Sequence, residues 1–169
     1  MDKKVEGTQG RSTKDKTPVF GMIERGGNVV AEVVKNTQSE TLYPIIHKSI
    51  HKETTVYTDE YGVYVNLKAF FPHESVQHGV GKYVVGDAHT NSIENYWSHL
   101  KRMIIGIHHH VSPKHLQLYV DSQSFRYNTR EISDSQRFNL FLQDTGYRTK
   151  YKEFKNGKEN IRHHTERNY

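Results

Sequence analysis

The chain has 169 residues, enough for one domain with a hydrophobic core, and its eleven Tyr and seven Phe exclude a chain that is disordered throughout. It has no cysteine, which excludes disulfides and thiolate metal sites, and neither a membrane span nor a signal-peptide core stands in it, so a soluble intracellular protein is expected. A net charge of +5 and a pI near 9.3 fit a polyanionic partner, with nucleic acid the first candidate.

Residues 1–16 hold only Val5 as a sizeable interior apolar side chain and predict a mobile arm. Two β-rich runs then flank Gly26-Gly27-Asn28, a hairpin signal. Thr37 and Glu40 have the spacing of a capping box, and Leu42, Ile45, Ile46 and Ile50 follow at helical intervals. TTVYTDEY, residues 54–61, predicts a short strand ending on Thr58-Asp59. Beyond it, YVNLKAFF predicts a helix stopped by Pro72, and GKYVVG a short strand.

In NSIENYWSHLKRMI the residues Ile93, Tyr96, Trp97, Leu100 and Ile104 form one apolar stripe, which places Trp97 in the core rather than on a base. Ser112-Pro113 opens a second helix, a cap followed by proline at the first helical position. Ser133 and Gln136 open a third, with Phe138, Phe141 and Leu142 expected inward and Gly146 as its stop. The domain therefore runs from 17 to 146, and 147–169 form a basic, polar tail.

The chemistry concentrates on a few polar positions. Asp59 ends a strand, and Glu94 lies 35 positions later in the first turn of a helix. Seven residues at 100° each return to within about 20° of the starting direction, so Lys101 lies on the same side as Glu94, two turns along. Asn91 and Ser98 lie further round, with Arg102 beyond them. Such a set suits phosphoryl transfer: hard cations take carboxylate oxygens, two of them roughly 3.5–4 Å apart serve the attacking and leaving oxygens, and a nearby lysine holds the phosphate. The same charges are also common on the solvated surface of α/β domains. His108-His109-His110 do not make a metal site, because adjacent side chains point apart, and phosphate contact suits them better. Phe125, Arg126, Tyr127 and Arg130 have the composition of a strip that tracks DNA, and equally that of a solvated helix face.

The segment YVVGDAHTNSIENYWSHLKRMIIGIHHHVSPKHLQLYVDSQSFRYNTRE resembles the signature region of DDE insertion-sequence transposases. It is most similar to the ISXO-two-like branch, with H-T-N-x-I-E-x-x-W-S-x-L-K-R, a His-rich turn, S-P-K-H-L and F-R-Y-N-x-R. GRSTKDKTPVFGMIERGG and VYTDEYGVY extend the likeness over roughly residues 10–131.

The resemblance implies an α/β fold, a ribonuclease H-like mixed sheet flanked by helices. It implies DNA nicking and strand transfer with Mg2+ or Mn2+, first by water and then by the freed 3′-hydroxyl. Asp59 matches the second catalytic aspartate, Glu94 the third acid with Asn91 as a rival for that place, and Lys101 the basic residue after it. Asp59 and Glu94 are then the metal ligands, while Lys101, Arg102, His109, Lys114, Arg126 and Arg130 face DNA. The partners implied are transposon ends and target DNA, with no membrane and a homodimer left open, in a bacterial cytoplasm close to the nucleoid.

One departure stands out. The family's first acid precedes the hairpin in an Asp-Glu pair before a Gly-rich turn, and residues 1–16 offer only Asp2, Glu6 and Asp15. The family's Cys-bearing zinc ribbon is absent as well. The expectation is a chain short of its first strand and first acid, inactive alone, with an inactive DNA-binding or oligomerising remnant as the alternative.

Overall fold

The structure, a computed structural model, describes residues 16–76 and 91–143. Strands β1 (Val19–Ile23) and β2 (Val29–Val33) form the expected antiparallel hairpin, in register Val19 to Val33 and Ile23 to Val29. Its turn closes through Glu24 N to Asn28 O at 2.9 Å and Gly27 N to Glu24 O at 3.0 Å, with Gly26 at φ +70°. That conformation is open to glycine at little steric cost.

Alternation along the strands gives the hairpin two apolar faces. Val19, Ile23, Val29, Ala31 and Val33 face a core shared with Tyr96, Leu100 and Val120 of helices α2 (Asn91–Arg102) and α3 (Leu116–Asn128). Phe20, Met22 and Val34 turn to a second core with Leu42 and Ile46 of α1 (Ser39–Ser49) and with Leu67 and Phe71. Gly21 lies against the Trp97 ring: a Cβ there would stand 2.7 Å from two ring carbons. Because Trp97 rides on α2, any side chain at Gly21 must push that helix off the hairpin. Gly21→Ala is expected to cost about 1–3 kcal/mol, the usual scale of overpacking, read as a lowered thermal midpoint. A midpoint equal to wild type would show that Trp97 gives way freely.

The outer edge of β2 is covered by side-chain amides from α3. Asn128 accepts from Val29 N at 2.8 Å and donates to Val29 O at 3.0 Å. Gln117 accepts from Val33 N at 2.7 Å and donates to Ala31 O at 3.3 Å. Two carboxamide side chains thus do what a neighbouring strand would do, at about 1 kcal/mol net per bond. On β1 the outward backbone groups of Val19, Gly21 and Ile23 have no hydrogen-bond partner among the described residues.

The second sheet is also two-stranded. Here β3 (Val56–Thr58) runs parallel to β4 (His73–Ser75), and a 3-10 segment, Gly62–Ala69, carries the chain between them. The single mixed sheet expected from the sequence is therefore two separate pairs among the described residues, one antiparallel and one parallel. β4 was not expected, since HES has no strand-like composition and its pairing is set by β3 alone. The YVNLKAFF helix is the 3-10 segment, and the 54–61 strand shortens to three residues.

The Thr37–Glu40 capping box does not form. Gln38 takes the cap position, Asn36 Oδ1 accepts from Gln38 N and Thr41 Oγ1, and the Thr37 hydroxyl pairs with Tyr61 instead. The Ser133–Gln136 box does form, reciprocally, at the start of α4 (Asp134–Gln143). Ser112-Pro113 likewise opens a 3-10 turn, Pro113–His115, that leads into α3. The inward assignment of Phe138, Phe141 and Leu142 is corrected: they are 60%, 59% and 47% exposed. Their spacing marks an apolar stripe, but the described residues hold α4 chiefly through Arg137, bonded to Thr129, and leave about half or more of each of these side chains exposed. The arm 1–16 but for Lys16, the GKYVVG strand, the Gly146 stop and the 147–169 tail lie outside the described residues.

Candidate active site

Asp59 directly follows β3 and is exposed. Its Oδ1 accepts from Tyr61 N at 3.1 Å, a short Asx turn that fixes the carboxylate at the strand end. Its backbone carbonyl accepts from Ser75 Oγ at 3.1 Å, which ties the same point to β4. The Tyr64 hydroxyl nearby is pushed up to about 12, first by burial and then by the charge of Asp59. His73, hydrogen-bonded through Nε2 to Thr58 Oγ1 at 2.9 Å, is shifted downward by burial and by Lys68, so the imidazole beside the strand end favours its neutral form.

The other candidates lie on α2 and after it. Asn91 is the first residue of the helix, and Glu94 lies in its first turn, where a carboxylate suits the helix dipole. Lys101 and Arg102 occupy the last turn, and all four are exposed. The reason is the stripe opposite: Tyr96 and Leu100 are buried, with Ile93 and Trp97 packed beside them, so the Glu94–Lys101 side must look outward. Trp97 is a core residue, as its place on the stripe implied.

Past Arg102 the helix loosens into a π-helical segment, Met103–His108, and turns at His109, which has φ +56°. His108, His109 and His110 are exposed, and the His108 ring meets Tyr119 edge-on at 4.6 Å. Among the described residues no group of three or more His, Asp or Glu side chains could hold a metal ion. Lys114 sits in the exposed 3-10 turn and Arg126 on the exposed side of α3. Arg130 is engaged within the fold: it donates to Gly26 O at 3.1 Å and to Tyr127 O at 3.0 Å, and stacks 4.5 Å over the Tyr127 ring. Tyr127 itself packs on the core, edge-on to Tyr96. The sequence missed the Gln117 and Asn128 amides altogether, because a polar residue on a helix carries no sign of the strand edge that it covers.

The comparisons bear on this arrangement. The family model described as the ISXO2-like transposase domain matches residues 1–128. The chain belongs to that family. This ISXO2-like transposase domain is similar to an "Uncharacterized transposase-like protein" of Haemophilus influenzae, 32% identical over 105 residues, which are 62% of this chain and 84% of that one. It is also similar to an "Uncharacterized protein in transposable element ISH50" of Halobacterium salinarum, 34% identical over 124 residues, 70% of this chain and 42% of that protein's length. No solved structure matches the chain. No helix among the described residues of this ISXO2-like domain is long and apolar enough to cross a membrane.

Proposed function

We propose that this chain is the core of a DDE-type insertion-sequence transposase that nicks and transfers DNA strands by phosphoryl transfer. The observation that carries the reading is the pairing of Glu94 and Lys101 on the outward side of α2, in a chain of the ISXO2-like family. Asp59 and Glu94 are exposed oxygen donors on a strand end and a helix, the type of ligand that Mg2+ or Mn2+ takes. Asn91, one turn before Glu94, offers a neutral oxygen in the same role. When bound, the cations supply the charge that activates the attacking oxygen and stabilises the leaving one.

The chain's own groups do the positioning. Lys101 and Arg102 hold backbone phosphates beside Glu94, and Lys114, Arg126 and His109 extend that hold along the surface, while the buried Tyr96–Leu100 stripe keeps α2 rigid behind them. A ribonuclease H-like sheet would have a further strand along the outer edge of β1, which has no hydrogen-bond partner among the described residues. Bacterial cytoplasm near the nucleoid is the compartment this chemistry implies.

The test uses a labelled transposon-end duplex with Mg2+ or Mn2+. The chain alone is expected to leave it intact, and to cut once a polypeptide bearing the family's Asp-Glu strand is added. That cutting should fall roughly 10³-fold or more in Asp59→Ala, the scale of losing a group that acts in the transition state. Nicking by the chain alone that Asp59→Ala abolishes would place the missing first ligand at Asp2, Glu6 or Asp15. Cutting that survives Asp59→Ala would remove Asp59 from the site.

A second reading, an inactive DNA-binding or oligomerising remnant, draws on the exposed Phe138, Phe141 and Leu142 of α4. It leaves room for a homodimer, which a sedimentation measurement on the triple serine variant tests, while the cutting assay above separates it from the first.

A further inference from the structure

Among the described residues the two most exposed large apolar side chains stand in one segment. Ile105 is 67% exposed and Ile107 70%, both in the π-helical segment that continues α2. The base of that segment is fixed, because Met103 and Ile104 pack on the first core. From Ile105 to His110 every residue is exposed, and a side chain at Gly106 would meet nothing within 4 Å. Among the described residues the segment is thus an exposed stub, held at its far end by the His108 ring against Tyr119 and closed by His109 at φ +56°, a conformation that non-glycine residues seldom adopt.

In the sequence on either side of the stub the charge is of one sign. Between Glu94 and Asp121 the chain has no carboxylate, while Lys101, Arg102, Lys114 and five histidines fall in that interval. Two exposed isoleucines on such a rim do not suit a second copy of the same surface, since two-fold pairing would bring cation against cation without a counter-charge. They suit a polyanion whose interior is apolar.

We propose that the 105–110 stub is a wedge that enters duplex DNA. In this reading Ile105 and Ile107 contact sugars and base edges and open a base step, while Lys101, Arg102 and Lys114 take the phosphates on either side. Apolar wedges of this type unstack and kink the duplex, a cost that the surrounding phosphate contacts offset. The inference rests on the DNA-binding reading above and adds the distortion of the bound duplex. It also gives the π-helical turn a use: widening the helix carries the isoleucines off the core side and holds them out, at a place in a helix where such turns often serve function.

The experiment is a short duplex carrying 2-aminopurine, titrated with the full chain in low salt without divalent cations, so that no chemistry occurs. Saturation is expected to raise the fluorescence at least about twofold, as an unstacked base should. The double variant Ile105→Ser, Ile107→Ser should bind within about threefold of wild type, because phosphate contacts supply most of the affinity. It should nonetheless return the fluorescence to that of the free duplex, while Ile107→Phe keeps the signal. Both positions are exposed, so far-UV circular dichroism should not change. Wild-type binding without a fluorescence rise, or a rise that persists in the double serine variant, overturns the wedge and leaves DNA binding standing. No binding to any duplex at low salt overturns both. Isoleucine-dependent binding to vesicles of anionic lipid, without DNA distortion, would assign the stub to a membrane surface instead. Isoleucine-dependent self-association without distortion would assign it to a second copy.

Discussion

Tyr96→Ala is expected to remove a large share of the chain's folding stability. Tyr96 is the largest side chain with no solvent exposure, and it stands where α2, α3 and the hairpin meet. Its ring packs edge-on against Trp97 at 5.1 Å and Tyr127 at 5.8 Å between centroids. Its hydroxyl pairs with Ser124 Oγ at 2.8 Å, and burial holds the phenol proton more tightly than usual. Truncating a buried aromatic costs about 3–5 kcal/mol. A domain of this size has roughly 5–15 kcal/mol in total, so the loss takes from about a fifth to all of it. Tyr96→Phe keeps the ring and removes only the hydroxyl, and about 1 kcal/mol is expected. Urea denaturation reads both: Tyr96→Phe should lower the midpoint slightly without changing the slope, and Tyr96→Ala should lower it several times further. A Tyr96→Ala variant with a near wild-type midpoint would mean that the hairpin and α1 carry the fold without the α2–α3 core.

That core was legible because its signal is local. The i, i+3, i+4 spacing of Ile93, Tyr96, Trp97 and Leu100 needs no partner to be read, and neither does the Gly26-Gly27-Asn28 turn or the Ser133–Gln136 box. What the sequence hid depends on partners far along the chain. His73–Ser75 is a strand because Val56–Thr58 lies beside it. Gln117 and Asn128 are edge caps because β2 ends there, more than eighty positions upstream. Phe138, Phe141 and Leu142 have the spacing of a core stripe, yet the side that should bury them is open among the described residues. In the candidate site the outward position of Glu94, Lys101 and Arg102 followed from the stripe opposite, and Asp59 at a strand end followed from the β-branched run before it. The structural engagement of Arg130 did not, because it is made with the hairpin turn at Gly26, 104 positions away.

That distinction sets the salt dependence expected of DNA binding. Of the cations assigned to DNA, Arg130 is bound to Gly26 and Tyr127, whereas Lys101, Arg102, Lys114 and Arg126 lie on exposed positions of α2, the 3-10 turn and α3. If those four each neutralise one phosphate, the logarithm of the binding constant falls with the logarithm of salt at a slope of about −3.6. Affinity then drops roughly 150-fold between about 50 and 200 mM salt, with little preference among sequences. Lys101→Ala with Arg102→Ala removes two contacts, so the slope should fall to about −1.8 and the same salt step should cost only about 12-fold. Arg130→Ala should instead lower the thermal midpoint and leave the slope nearly unchanged, since its guanidinium is spent on the hairpin turn. Fluorescence anisotropy with a labelled duplex across a salt series measures all three. A slope near zero for the wild-type chain would remove phosphate contact as the source of binding. A double variant that keeps the full slope would move the phosphate path off the end of α2, and with it the role proposed for Lys101 beside Glu94.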